Sequence, residues 1–230
     1  MQIQTLRLIE GAKQARGLTV IIDVFRAFSL ECYLYDMGAK AILPVGQIDE
    51  ARRWKQQIPD SILVGERHGI MCEGFDFGNS PSSIPAAVVA GRTVIHTTSA
   101  GTQGIVNASG ASEILTGSLV NARAIAEYIR RRQPEWVSLV CMGNMGTAPA
   151  QEDELCAAYI RSLLEGDGMP DVQQRAHALR FDGGTHFFDP NRPEFPEPDF
   201  WLCTDCNRFP FVIRVHSDEN GFHTERIEVL

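Results

Sequence analysis

Residues 94–104 read VIHTTSAGTQG, a short apolar run followed by three hydroxyl side chains in a row and then glycines that open a helix-like stretch. A strand that ends in Thr97, Thr98 and Ser99 and turns through Gly101 toward Thr102 gathers hydroxyls and backbone N–H groups at one point, where a helix macrodipole also favours negative charge. A phosphorylated ligand would suit such a cradle. The same residues also suit an ordinary strand-to-helix turn in which Ser99 or Thr102 caps the helix.

Four more apolar runs end in polar or glycine-rich tips. Asp23 follows an uninterrupted apolar strand, and a carboxylate buried there needs a partner, either a cation or Arg26. Glu66 and Arg67 end the run ILVGER, and Gly117 leads to Ser118 and Asn121. Gly143–Gly146 are followed by Glu152, Asp153 and Glu154. Arg26 and Arg67 offer planar, permanently charged forks suited to phosphate or sulfonate oxygens, or to a structural tether. Glu66 and Asp153 are oxygen donors of the kind Mg²⁺ prefers, while Asp153 in a helix's first turn would also complement the dipole. The loop GFDFGNSP (74–81) brings Asp76, Asn79 and Ser80, either to close over a ligand or to form an Asx turn. His68 beside Arg67 is a candidate for proton transfer, whereas His96 inside an apolar strand reads as a core histidine.

Several chemistries are excluded by pattern. There is no GxxxxGK[ST], GxSxG or GxGxxG, no cysteine with arginine six positions on, and position 25 is Phe where a DxD start needs Asp. CTDC (203–206) stands without a second cysteine pair or histidines at metal spacing, so Cys203 and Cys206 read as core thiols rather than a zinc site. The net charge of -8 and only three lysines argue against a nucleic-acid partner. Arg130–Arg132 close a predicted helix, where cations complement the dipole. An acidic protein that handles an anion must reverse its field locally, with arginines or a divalent cation.

The elements that must position these residues alternate. Strands are expected at 18–24, 41–45, 62–66, 93–98, 112–118 and 137–143. Helices are expected after residue 24 up to Gly38, near 48–57, around 122–129 and at 152–165. Short apolar runs separated by helices predict a three-layer α/β/α fold around a mainly parallel or mixed sheet covered on both faces. After Gly166 a polar helical stretch leads into the proline-rich HFFDPNRPEFPEPDFW, an irregular connection, and 211–215 and 223–230 read as antiparallel or edge strands. The chain of 230 residues is expected to form one domain, with a core at about 18–165 and a C-terminal elaboration at about 166–230. No run is long enough to span a membrane, no secretory signal is visible, and six scattered cysteines suit reducing conditions, so the expected compartment is the cytoplasm. A homodimer is the default oligomer.

The ordered set IIDVFRAFS, Gly38–Ala39, LVGERHG, GFDFGNSP, VIHTTSAGTQG, TGSLVNA, LVCMG and QEDELCAAYI resembles the 2-phosphosulfolactate phosphatase family of coenzyme M biosynthesis, from about residue 18 to 165, and DFWLCTDCNRFPFVIRV resembles its tail. The resemblance implies a Mg²⁺-dependent phosphatase that converts 2-phosphosulfolactate to sulfolactate and phosphate. It places Asp23, Arg26, Glu66 and Arg67 in the catalytic set. Asp76, Asn79, Ser80, Thr97, Thr98, Ser99, Gly101, Thr102, Ser118 and Asn121 fall at the substrate, and Asp23, Glu66, Glu152 and Asp153 at the metal. The nucleophile is left open between water, a carboxylate and Ser99. Phe28 and Ser29 depart from the family's common DVLRATT. Two other readings remain: a phosphatase of the same fold for another phospho-hydroxy acid, and a non-catalytic binder of small anionic metabolites.

Overall fold

A computed structural model describes residues 1–219 and 221–230. The chain opens with β1 (Gln2–Arg7) and α1 (Leu8–Lys13), followed by β2 (Gly17–Ile22), α2 (Ala27–Asp36), β3 (Ala41–Pro44) and α3 (Ile48–Gln57). Next come β4 (Ile62–Arg67), β5 (Ile70–Met71), α4 (Ala86–Val89), β6 (Thr93–Thr97) and α5 (Gly101–Asn107). Then follow β7 (Ala111–Gly117), α6 (Ala122–Arg132), β8 (Trp136–Cys141) and α7 (Gln151–Glu165). The last elements are α8 (Val172–Ala178), α9 (Glu197–Cys203), β9 (Phe211–Asp218) and β10 (Gly221–Glu228).

The layering is α/β/α, but the strands divide into two sheets instead of the single one expected. One has the order β1-β8-β2-β7-β9-β10, parallel through β7 and antiparallel beyond; the other has the order β3-β6-β4-β5, with only β5 antiparallel. β10 runs beside β3, and Thr224 Oγ1 donates to Ile42 O at 3.1 Å across the junction.

Central strands of the larger sheet are buried on both faces, as a parallel sheet under two helical layers requires. Leu18, Val20 and Ile22 of β2 join the core beneath α6 and α7, whereas Ile21 between them faces the core beneath α1 and α5. β1 escaped the sequence reading because QIQTLR is a half-buried edge strand with no long apolar run. In α2 every residue from Ala27 to Tyr35 is buried. The helix is wedged between the sheets, packing Leu34 and Tyr35 with Ile42, Val64 and Val94 on one side and with Phe211 and Ile213 on the other. Part of the proline-rich connection is ordered as α9, with Pro198 in its first turn, where a missing N–H costs nothing.

The parallel arrangement matters for function because it brings the carboxyl ends of β2, β7 and β8 to one edge of their sheet and those of β4 and β6 to the same side of theirs. Ligands of open α/β sheets bind outside such edges.

Candidate active site

A cavity of about 630 Å³ opens at these strand ends. Asp23 sits one residue past β2, and its Oδ1 accepts from Ala27 N–H at 3.2 Å. Gly101, the first residue of α5, lets that helix come close: a Cβ there would lie 2.9 Å from Asp23 Oδ2 and 2.9 Å from Ala27 Cβ. Asp153, in the first turn of α7, ties two strand ends together, its Oδ1 accepting from Val24 N–H and its Oδ2 from Gly143 N–H, both at 2.8 Å. Glu152 precedes it on the cavity wall. Glu66, at the end of β4, accepts from Ser99 N–H at 2.7 Å on Oε1, and from Gly69 N–H at 2.6 Å and Ser99 Oγ at 3.0 Å on Oε2.

The 94–104 turn therefore already receives an anion, the Glu66 carboxylate. Its other hydroxyls close the helix start: Thr102 N–H donates to Thr98 Oγ1 at 3.1 Å and Thr98 N–H to Thr102 Oγ1 at 2.9 Å. Ser99 Oγ also accepts from His68 N–H at 3.0 Å, so this hydroxyl serves as a clamp between two loops.

Four carboxylates share the cavity, and burial raises the proton affinity of three of them. Asp23 is pushed well above the usual carboxylate range by loss of solvent, then by the charges of Asp153 and Glu66. Burial does the same to Asp153, with Glu152 adding repulsion. Glu152 is pushed up to about 7, again chiefly by burial. Such a group is relieved by a hard cation. Among the described residues no three His, Cys, Asp or Glu side chains close into a metal cage. The site thus suits a cation that leans on one or two carboxylates and takes its other ligands from water and substrate oxygens, rather than one enclosed by protein.

Arg26 lines the same cavity and is only 3% exposed. Its Nη1 donates to Asp199 Oδ2 at 2.7 Å and to Glu194 O at 2.9 Å. Asp199 Oδ1 in turn accepts from Ser80 Oγ at 3.0 Å and Ser82 N–H at 2.9 Å.

Of the residues singled out in the sequence, Asp23, Arg26, Glu66, His68, Asn79, Ser99, Gly143, Glu152 and Asp153 line the cavity. The others lie behind or beside it. Arg67 donates to Glu66 O, Gly46 O and Thr97 Oγ1, lashing β4 to β6 and to the loop after β3. Asp76 accepts from Leu63 N–H at 2.8 Å and lies 3.7 Å from Lys55 Nζ, an anchor for its own loop. Ser80 holds Asp199. Ser118 and Asn121 form a capping box, with Ser118 Oγ 2.6 Å from Ser29 Oγ. Ser29 thus keeps a hydroxyl's role, while Phe28 is fully buried in the core. Cys203 and Cys206 are free thiols, and burial holds both well above the ordinary thiol range. His96 is a core histidine with a role: its Nε2 lies 3.0 Å from Asn79 Oδ1 and its Nδ1 2.9 Å from Glu31 Oε1, so it fixes the Asn79 amide from behind.

Sequence reasoning missed Phe25, His186, Arg192 and Phe195, which complete the wall around Arg26. Phe25 had a signal, its position inside the strand-end motif. The other three come from the aperiodic segment after α8.

Comparisons with known proteins place the chain in a family. A family model described as 2-phosphosulpholactate phosphatase matches residues 3–181. A probable 2-phosphosulfolactate phosphatase of Caldicellulosiruptor saccharolyticus is 40% identical over 157 residues, 66% of this chain and 64% of the relative. One of Bacillus subtilis is 29% identical over 213 residues, 91% of this chain and 92% of the relative. One of Clostridium acetobutylicum is 38% identical over 153 residues, 66% and 64% of the two chains. The match thus spans just under two thirds of the first and third of these relatives and nearly all of the second. The cavity carboxylates all fall within the matched span, and the chain belongs to the 2-phosphosulpholactate phosphatase family.

Proposed function

We propose that the chain is a Mg²⁺-dependent phosphoric monoester hydrolase that converts 2-phosphosulfolactate to sulfolactate and phosphate. The observation that carries this reading is the convergence of Asp23, Glu66, Glu152 and Asp153 on one cavity facing Arg26. Phosphoryl transfer depends mainly on positioning and on neutralising charge, and this inventory supplies both without a nucleophilic side chain. Held by Asp23 and Asp153, with Glu66 and Glu152 alongside, Mg²⁺ would offset the charge of the phosphoryl oxygens.

The chain's own residues do the rest. Arg26, immobilised by Asp199, presents a guanidinium to the anion without having to be ordered on binding. Asp153 keeps the ends of β2 and β8 in fixed relation, and Ser99 with Gly69 fixes both oxygens of Glu66. Water attacks phosphorus as the ester P–O bond breaks. The departing alkoxide oxygen takes up a proton, balancing the one that the attacking water loses. The six free thiols suit a reducing compartment, which supports a cytoplasmic enzyme. Among the described residues no helix is long and apolar enough to cross a membrane.

The test is phosphate release from 2-phosphosulfolactate. Activity should vanish in excess EDTA and return with Mg²⁺. Full turnover in EDTA would refute the metal, and turnover of other phospho-hydroxy acids but not of this one would refute the substrate.

A further inference from the structure

Part of the cavity lining, Asp182, Gly183, His186, Arg192 and Phe195, lies beyond the span of the family match. Phe195 anchors it. Its ring rests on the backbone at Gly69, where a Cβ would lie 2.4 Å from Phe195 Cζ, and the guanidinium carbons of Arg26 and Arg192 each lie 4.7 Å from its centroid. The cavity therefore holds four carboxylates and two arginines that share an aromatic ring, and Gly69, on which that ring rests, donates its N–H to Glu66 Oε2 at 2.6 Å. His186 stands with the arginines and adds no charge at neutral pH, because burial and the charges of Arg192 and Arg26 push it down to about 4.

Arg26 spends Nη1 on Asp199 and Glu194 O. Arg192 is held through Nε, which donates to Glu194 Oε1 at 2.6 Å. That bond aims its terminal nitrogens, which are suited to meet the paired oxygens of an acid group. With the phosphate met by Arg26 and by the cation that the carboxylates would hold, Arg192 is left for whatever else the substrate carries.

We propose that Arg192, stacked on Phe195 and backed by Arg26, sets specificity by binding the acid group on the substrate's carbon chain. The assignment rests on the phosphatase reading above and extends it to a residue outside the family match.

The test compares wild type, Arg192→Gln and Arg192→Lys on three esters: 2-phosphosulfolactate, 2-phospholactate, which lacks the sulfonate, and ethyl phosphate, which lacks both acid groups. Arg192→Gln should raise KM for 2-phosphosulfolactate by about 10- to 100-fold, as loss of a charge-assisted hydrogen bond does. Its kcat/KM on ethyl phosphate should fall at least tenfold less, and Arg192→Lys should recover part of the loss. A loss shared with 2-phospholactate identifies the carboxylate as the bound group; a loss confined to the sulfonate-bearing ester identifies the sulfonate. Equal losses on all three esters, or no loss on 2-phosphosulfolactate, would overturn the proposal.

Calorimetric titration with sulfolactate separates the two levels of the argument, since it requires no turnover. Weaker sulfolactate binding in Arg192→Gln supports the assignment even if wild type releases phosphate from none of the esters, an outcome that would refute the phosphatase reading instead. Equal sulfolactate affinity in both proteins would overturn the assignment of Arg192.

Discussion

Asp153 and Glu66 hold their places because both oxygens of each carboxylate accept backbone N–H groups from neighbouring strand ends and turns. Arg192 and Phe195 hang from a strap of turns and prolines that is fastened to the frame by one buried ion pair, by hydrogen bonds from Arg26 to Glu194 O and from Gln151 to Asp182, and by ring contacts. The frame gains precision from main-chain geometry that any sequence with the same strands would reproduce. The strap gains position from a few side chains. The difference teaches that the two halves of one cavity can answer to separate constraints: chemistry is tied to the fold, whereas substrate preference is tied to a segment laid over it.

That contrast can be broken by experiment. Asp23→Asn should cost several powers of ten in phosphate release while circular dichroism stays native; a loss of tenfold or less would remove Asp23 from the chemistry. Next in size is the seam between the two walls. Asp199→Ala leaves Arg26 buried without its partner and should cost about 3–5 kcal/mol, read as a drop on the order of 10 °C in Tm for a chain of this size. If the strap were merely draped over the frame, Tm would not move.

The third effect belongs to the frame alone. Glu152 has a folded-state pKa of about 7 against 4.5 for the free side chain, so the folded state binds the proton more tightly. Its stabilising contribution is fully present below pH ~4.5 and is lost as pH rises through about 7, a change of about 3 kcal/mol. Chemical denaturation of the metal-free protein should therefore show less stability at pH 8 than at pH 5, and Glu152→Gln should flatten the slope. A stability that rises over this range in wild type would contradict the burial of Glu152.

The frame was largely legible in the sequence because apolar runs with polar ends have a local signature. Asp23, Glu66 and Asp153 each break a hydrophobic pattern at a point where a strand or helix must end or begin. The single sheet expected became two because α2 is apolar enough to be buried all round, and nothing in its periodicity distinguishes a helix under one sheet from a helix between two. Motif residues such as Asp76, Ser80, Thr98 and Ser118 could not be sorted in advance into those that line the cavity and those that hold the lining in place, since both roles use the same short polar side chains. Arg192 and Phe195 were invisible for a different reason. Their segment has no period, and its placement depends on long-range partners, Arg26 for Asp199 and Gly69 for Phe195.

The strap is moored at its ends by Asp182, which accepts from Gln151 Nε2 at 2.7 Å, and by Asp199, which grips Arg26, and between them by Glu194 O, which also accepts from Arg26. These moorings use frame residues rather than strap residues as counterparts, and the entropy of closing a loop between fixed ends rises only slowly with its length. Residues 183–198 thus amount to an exchangeable cassette. A graft from a relative, cut at these two aspartates, should carry the donor's substrate appetite into the recipient and leave the recipient's catalytic engine untouched.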